Sequence, residues 1–312
     1  MRCLTILLAP LLALVLAACA TAPAPAGWQA RLRGDTIALL GEVHDNARQH
    51  RLRLAALERA VAAGWRPAIV MEQFDRESQG DIERARRERP RDAQHVIDLA
   101  ASGASGWNWS FYRPVVAFAL AHDLPLIAGN LSNADAARIV RGGYAAVFDP
   151  ATIAALGLDR PVDARLEAAQ EREIDDGHCH ALPPTMWPRM ARAQLARDAV
   201  MAAALRRHAQ GGAVLLAGNG HVRRDIGVPR WLGADAERAL SIGFLEEGGS
   251  TPTTAFDAVV RTAAEARSDP CARLGPAPHR REPSFNRPLV QPSRRVSAAS
   301  SHSPVASSWR TT

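Results

Sequence analysis

Six short runs dominated by apolar residues, at 36–40, 68–71, 124–128, 213–217, 240–245 and 256–260, read as strands. They are apolar at most positions, which predicts strands covered on both faces, as in a parallel sheet. Between them lie amphipathic or alanine-rich stretches at 47–63, 94–101, 113–122 and 134–141 that suit crossover helices. The interval 162–208 carries no strand signal, and Pro183, Pro184 and Pro188 divide it into two helical parts. This order predicts an α/β fold: a mainly parallel β-sheet flanked by helices, with a smaller inserted helical subdomain at about 150–210. The roughly 240 residues of 34–274 suffice for one such domain.

Before the first strand, Arg2 precedes an apolar run at 4–18 that is too short for a permanent transmembrane helix. Its end, Leu16-Ala17-Ala18-Cys19, resembles a lipobox. Residues 1–18 are therefore expected to be a lipoprotein signal peptide, with Cys19 acylated and 19–33 a tether. Each buried methylene of the acyl chains contributes about 0.8 kcal/mol to anchoring. The expected location is the bacterial cell envelope, lipid-anchored in the outer membrane and facing the periplasm. Cys3 leaves with the signal peptide, so Cys179 and Cys271 remain. An exported pair can form a disulfide, and two separate buried thiols are the alternative.

The net charge of +6 changes meaning once it is located. From Pro276 to Thr312 six arginines face one acid, Glu282, while the domain itself is neutral. A neutral domain has no footprint for nucleic acid. The basic Pro/Ser/Arg-rich segment 275–312 has too few apolar residues to fold and is expected to be a disordered tail.

Candidate chemistry follows four of the predicted strands. Strand 36–40 runs into Gly41-Glu42-Val43-His44, 68–71 into Glu72-Gln73, 124–128 into Gly129-Asn130, and 213–217 into Gly218-Asn219-Gly220-His221. Ligands of parallel sheets bind beyond the carboxyl ends of the strands, so these side chains are expected to converge. Helix capping is the alternative for any one of them. Trp107, Trp109, Phe111 and Tyr112 could line a wall for a flat ligand or simply fill core. Arg197 could grip a ligand carboxylate or lie on a solvated helix face beside Gln194, Asp198 and Met201. His178-Cys179-His180 suits an exposed loop or a ligand pair, and without Cys-x-x-Cys-His there is no covalent haem attachment.

With Met71-Glu72-Gln73-Phe74, Trp107-Asn108-Trp109, Phe111-Tyr112-Arg113-Pro114, His178-Cys179, Ala193-Gln194, Arg197-Asp198, Met201-Ala202 and Ala217-Gly218-Asn219-Gly220-His221-Val222, these motifs resemble the ChaN-like haem-binding lipoproteins. That family belongs to a wider Tiki/TraB and erythromycin-esterase-like group. The resemblance implies a haem-binding lipoprotein of haem or iron uptake, with Tyr112, Asn130, Arg197, Asn219 and His221 as pocket candidates. It implies as partners the membrane, through the lipid on Cys19, an uptake receptor and a second copy of the chain. Haem iron accepts His, Cys, Met or Tyr. A tyrosinate ligand would have to be Tyr112 or Tyr144. Tiki-type relatives imply the competing reading, a metal-dependent hydrolase. His44, Glu72 and His221 would then hold a divalent metal, with Glu42 as general base.

Overall fold

The computed structural model describes residues 27–101 and 106–273. Cys19 and the basic segment 275–312 lie outside them. All six predicted strands form: β1 (Ile37–Leu40), β2 (Ala68–Asp75), β3 (Leu126–Asn130), β4 (Ala213–Leu216), β5 (Ala239–Glu246) and β6 (Ala258–Thr262). They make one sheet in the order β3-β2-β4-β1-β5-β6, parallel at every pairing. Because every strand points the same way, all six carboxyl ends lie along one edge.

Neighbouring residues of a strand face opposite sides of the sheet, and each side has its own cover. Leu40, Ile69, Met71, Leu126, Val214, Leu216 and Ile242 bury against α1 (Ala47–Ala62), α2 (Gln79–Glu88), α3 (Ala93–Ala100) and α4 (Trp109–Ala121). On the opposite side Ile37, Leu39, Val70, Ala213 and Leu215 meet Met201, Ala202 and Leu205 of α8 (Trp187–Arg207). Two-sided cover is the reason these strands read as unbroken apolar runs.

The inserted helices differ from the expected subdomain in one respect. α5 (Asn133–Gly142), α6 (Pro150–Leu156), α7 (Ala164–Gly177) and α8 lie between β3 and β4. Ile139, Phe148, Leu156, Ala196 and Val200 form a small core of their own. Yet α8 buries its C-terminal half on the sheet, so the last inserted helix is also the crossover into β4. The prolines act as expected: Pro183 and Pro184 separate α7 from α8, and Pro188 sits in the first turn of α8, where a missing N–H is harmless.

The fold begins earlier than the predicted tether allows. Trp28 packs edge-on against Phe244 at 6.1 Å, and Leu32 is buried. Cys179 and Cys271 are joined in a disulfide across 92 positions of sequence. Closing a loop of that length restricts the unfolded chain by about 4 to 5 kcal/mol on chain-entropy grounds.

Candidate functional site

At the carboxyl edge of the sheet, the loop that follows β1 carries Glu42 and His44. Glu42 is only 2% exposed and is held from several sides. Its Oε1 accepts the Tyr112 hydroxyl at 2.6 Å and His44 Nδ1 at 2.7 Å. Its Oε2 forms an ion pair with the buried Arg53 of α1. An ionised carboxylate only accepts, so Nδ1 of His44 is the donor of that bond. Arg53 also donates to His50 Nδ1 at 2.9 Å, and His50 Nε2 donates to the carbonyl of His44 at 2.9 Å. That donor pattern fixes a neutral His50, in keeping with burial lowering its pKa. The His44 backbone and its inner nitrogen are thus both pinned from the protein interior.

A second carboxylate–imidazole set comes from β2, β4 and α8. His221 lies in a short helix, α9 (Asn219–Val222), that follows β4. Its Nδ1 bonds Asp198 Oδ1 at 2.6 Å, and its Nε2 faces Glu72 Oε1 at 3.4 Å. The other Glu72 oxygen accepts the Gly218 amide at 2.8 Å. Burial alone would lower the His221 pKa, but Glu72 and Asp198 outweigh it and hold the ring at about 10. For Glu72 burial is again opposed, here by His221 and more weakly by His44, and its pKa falls to about 2. Burial wins at Asp198, raising its pKa to about 6 despite His221. At neutral pH the set is therefore an imidazolium between two carboxylates.

These groups open onto a cavity of 920 Å³. His44, Glu72, Trp107, Tyr112, Asn130 and His221 line its sheet side. Its other wall includes Ile174, His178, Met190 and Arg197 from the inserted helices and the loop after α7. The aromatic cluster divides between the two readings. Trp107 and Tyr112 line the cavity, whereas Trp109 and Phe111 pack against the core under α4.

Several expectations need correction. Asn219 does not line the cavity, because its amide pairs with the backbone of Phe244 through Nδ2 at 2.6 Å and Oδ1 at 3.0 Å. Gly41 makes room for it, since a Cβ there would lie 2.2 Å from Asn219 Oδ1. Arg197 is at the cavity, but both NH1 donors serve Asn130 and the Leu131 carbonyl, and NH2 serves Asn133. Its first task is to tie α8 to the end of β3. Tyr112 lines the cavity, yet its hydroxyl is committed to Glu42, and burial raises its pKa. Tyr144 lines a different hollow, between α7 and α8, and its pKa is pushed up to about 12 by burial. His178 is in the cavity wall, not on an isolated exposed loop, with Nδ1 bonded to the Ile174 carbonyl at 2.7 Å.

The arrangement does not favour a divalent-metal centre at His44, Glu72 and His221. Among the described residues one set of three His, Cys, Asp or Glu brings its donor atoms within 4.8 Å of one another, and it is Asp175, Asp176 and His180. Both nitrogens of His221 already face carboxylates. Glu42 is a poor candidate for a general base, since Arg53, Tyr112 and His44 occupy its oxygens. Asp198 and Arg53 are the functional neighbours that strand-end reasoning does not reach.

Known proteins place the fold in context. No curated protein sequence matches the chain. Among solved structures, ChaN of Campylobacter jejuni, described for cofacial haem binding, superposes with a TM-score of 0.59 at 18% identity, covering 74% of this chain and 89% of that one. The erythromycin esterase EreC in its open conformation gives a TM-score of 0.41 at 13% identity, covering 70% of this chain and 72% of that one. The family described as haem-binding uptake, Tiki superfamily, ChaN matches residues 28–232, a span that includes β1 to β4 and the short helix α9 that carries His221. The chain belongs to that haem-binding uptake family of the Tiki superfamily.

Proposed function

We propose that the protein binds haem in the 920 Å³ cavity at the carboxyl edge of the sheet and serves haem or iron uptake from a lipid anchor on Cys19. The cavity carries the reading. Its volume is within the range of cofactor sites, and it combines apolar surface from Trp107, Val140, Ile174 and Met190 with imidazoles able to ligate iron. Haem would bring the iron chemistry, and the chain supplies the apolar cover, the ligating side chains and polar groups around them. Tyr144 is outside this cavity, and the Tyr112 hydroxyl is already bonded, so the donor set suits haem through nitrogen better than through a phenolate.

Titrating haemin into the purified protein tests the first half. The expected result is a saturable Soret shift with an equivalence point, and a featureless titration resembling free haemin would end the haem reading. The anchor is supported by the apolar run at 4–18 ending in Leu16-Ala17-Ala18-Cys19. Cells fed a labelled fatty acid should label the wild-type protein and not Cys19→Ser, with the variant lost from the membrane fraction. An unlabelled wild-type protein would remove the anchor from the proposal. Uptake receptors and a second copy of the chain remain the partners this reading calls for.

A further inference from the structure

We infer that a second hollow, near the amino edge of the sheet, binds the phosphate group of a phosphate ester. The hollow has a volume of 590 Å³ and lies between the turn from α6 to α7, the last turn of α8 and the short helical turns Val228–Trp231 and Gly233–Arg238. Its place follows from the chain around it. Arg206 of α8 comes just ahead of the amino end of β4, and Arg238, just before β5, bonds the carbonyls of Asp35 and Ala209 ahead of β1 and β4. The 920 Å³ cavity opens at the opposite, carboxyl edge, and no residue lines both.

Arg160, Arg206 and Arg230 reach this hollow from three separate segments. Arg160 and Arg230 are exposed, and among the described residues neither guanidinium has a hydrogen bond or an ion pair. Arg206 is half-buried. Its Nη1 bonds the Trp231 carbonyl, and burial lowers its pKa against the pull of Asp235. A guanidinium held partly out of water remains a cation and attracts an anion more strongly than a solvated one does. Two acids share the hollow, and both are engaged elsewhere. Asp163 caps α7 by accepting the Arg165 amide at 2.7 Å, and Asp235 accepts Nε and Nη2 of Arg238 at 3.1 and 2.9 Å. Neither forms an ion pair with any of the three arginines among the described residues.

The lining selects the ligand. Exposed arginines are ordinary on a protein surface, but here they rim a concavity with an apolar wall of Leu156, Val162, Leu166 and Leu232. Three guanidinium forks suit a group with several charged oxygens, as a phosphate has, better than the two oxygens of one carboxylate. The volume exceeds what a bare ion fills and falls in the range of small-molecule sites, so the apolar wall is left for the organic part of an ester. Soluble phosphate esters and phospholipid headgroups both present that group.

The test measures binding of glycerol 3-phosphate and inorganic phosphate to the full chain by calorimetry, and co-sedimentation with phosphatidylglycerol or phosphatidylcholine vesicles. Glycerol 3-phosphate is expected to bind saturably, more tightly than inorganic phosphate, and more weakly as salt is raised. Arg160→Gln and Arg230→Gln should each weaken it by about tenfold, as the loss of one charge-assisted bond implies. Neither side chain has an internal partner, so both variants keep the fold. Arg207→Gln, on the same last turn of α8 but outside the hollow, should bind like wild type. On vesicles, the double variant Arg160→Gln/Arg230→Gln is compared with wild type, since any contribution of the anchor and of the basic segment 275–312 is common to both proteins. A preference for phosphatidylglycerol that falls by about tenfold in the double variant identifies a lipid headgroup as the source. Equal sedimentation of the two proteins, with saturable glycerol 3-phosphate binding in solution, identifies a soluble ester. Two results overturn the assignment: no saturable binding of either phosphate compound together with vesicle binding that the double variant leaves unchanged, or an Arg207→Gln variant that weakens binding as much as Arg160→Gln does.

Discussion

Replacing Arg53 by Met is expected to destabilise the protein by about 3 to 5 kcal/mol, although Arg53 is outside the cavity wall. Arg53 is 3% exposed and is the cation that faces the buried Glu42. Taking away one partner of a buried pair leaves the other charge in a low-dielectric interior, and the loss exceeds what a surface ion pair could contribute. Arg53 also donates to His50 and to the Leu40 carbonyl, so the variant frees the histidine that pins the His44 backbone. Adding Glu42→Gln to Arg53→Met removes the stranded charge and should recover much of the loss. Urea denaturation of wild type, both single variants and the double variant gives the coupling directly. A coupling energy below about 0.5 kcal/mol would mean that the pair is not what holds Glu42.

Arg53 also shows where sequence reasoning stops. The six strands are legible because a parallel strand buried on both faces leaves an unbroken apolar signature, and α8 is legible from its length and its prolines. Helices α2 and α6 are not, since α2 buries only Ile82 and Ala85 and α6 only Leu156. Glu42, His44, Glu72, Asn130 and His221 can be grouped because each follows a predicted apolar run, and the carboxyl ends of parallel strands share one edge. Their partners come from helices, where the only signal is a charge on an apolar stripe. Arg53 shares a buried face with Gln49, Ala56, Leu57 and Ala60, and Asp198 lies among the buried Leu195, Ala199 and Ala202. Charged residues at such positions are seldom buried without a partner. The stripe thus announces a partner without naming it, because His221 and Asp198 are brought together only by the packing of α8 beside the end of β4. Asn219 fails for the converse reason. It follows a strand like the others, but the gap at Gly41 lets its amide take the free backbone groups of Phe244.

The His221 set makes the second large prediction, and its sign depends on pH. His221→Gln keeps hydrogen-bonding capacity but removes the cation between two buried carboxylates, so about 3 to 5 kcal/mol of stability should be lost near pH 6. The folded pKa of His221, about 10, lies above its ordinary 6.5. Its contribution is therefore complete below pH 6.5 and is lost as pH rises through 10. Glu72 has the opposite sign: its folded pKa of about 2 lies below 4.5, so its contribution is present above pH 4.5 and is lost as pH falls through 2. Asp198, raised to about 6, favours the folded state most below its ordinary 3.8 and loses that advantage as pH rises through 6, which offsets part of the acid loss. Wild type and His221→Gln should accordingly differ most between about pH 4.5 and 6.5 and converge toward pH 10, where the wild-type ring also becomes neutral. Urea midpoints at pH 5.5, 8 and 10 would follow the convergence. Curves that stay parallel from pH 5.5 to 10 would show that the ring is not held as a cation by Glu72 and Asp198, and that its place in the site is set by packing alone.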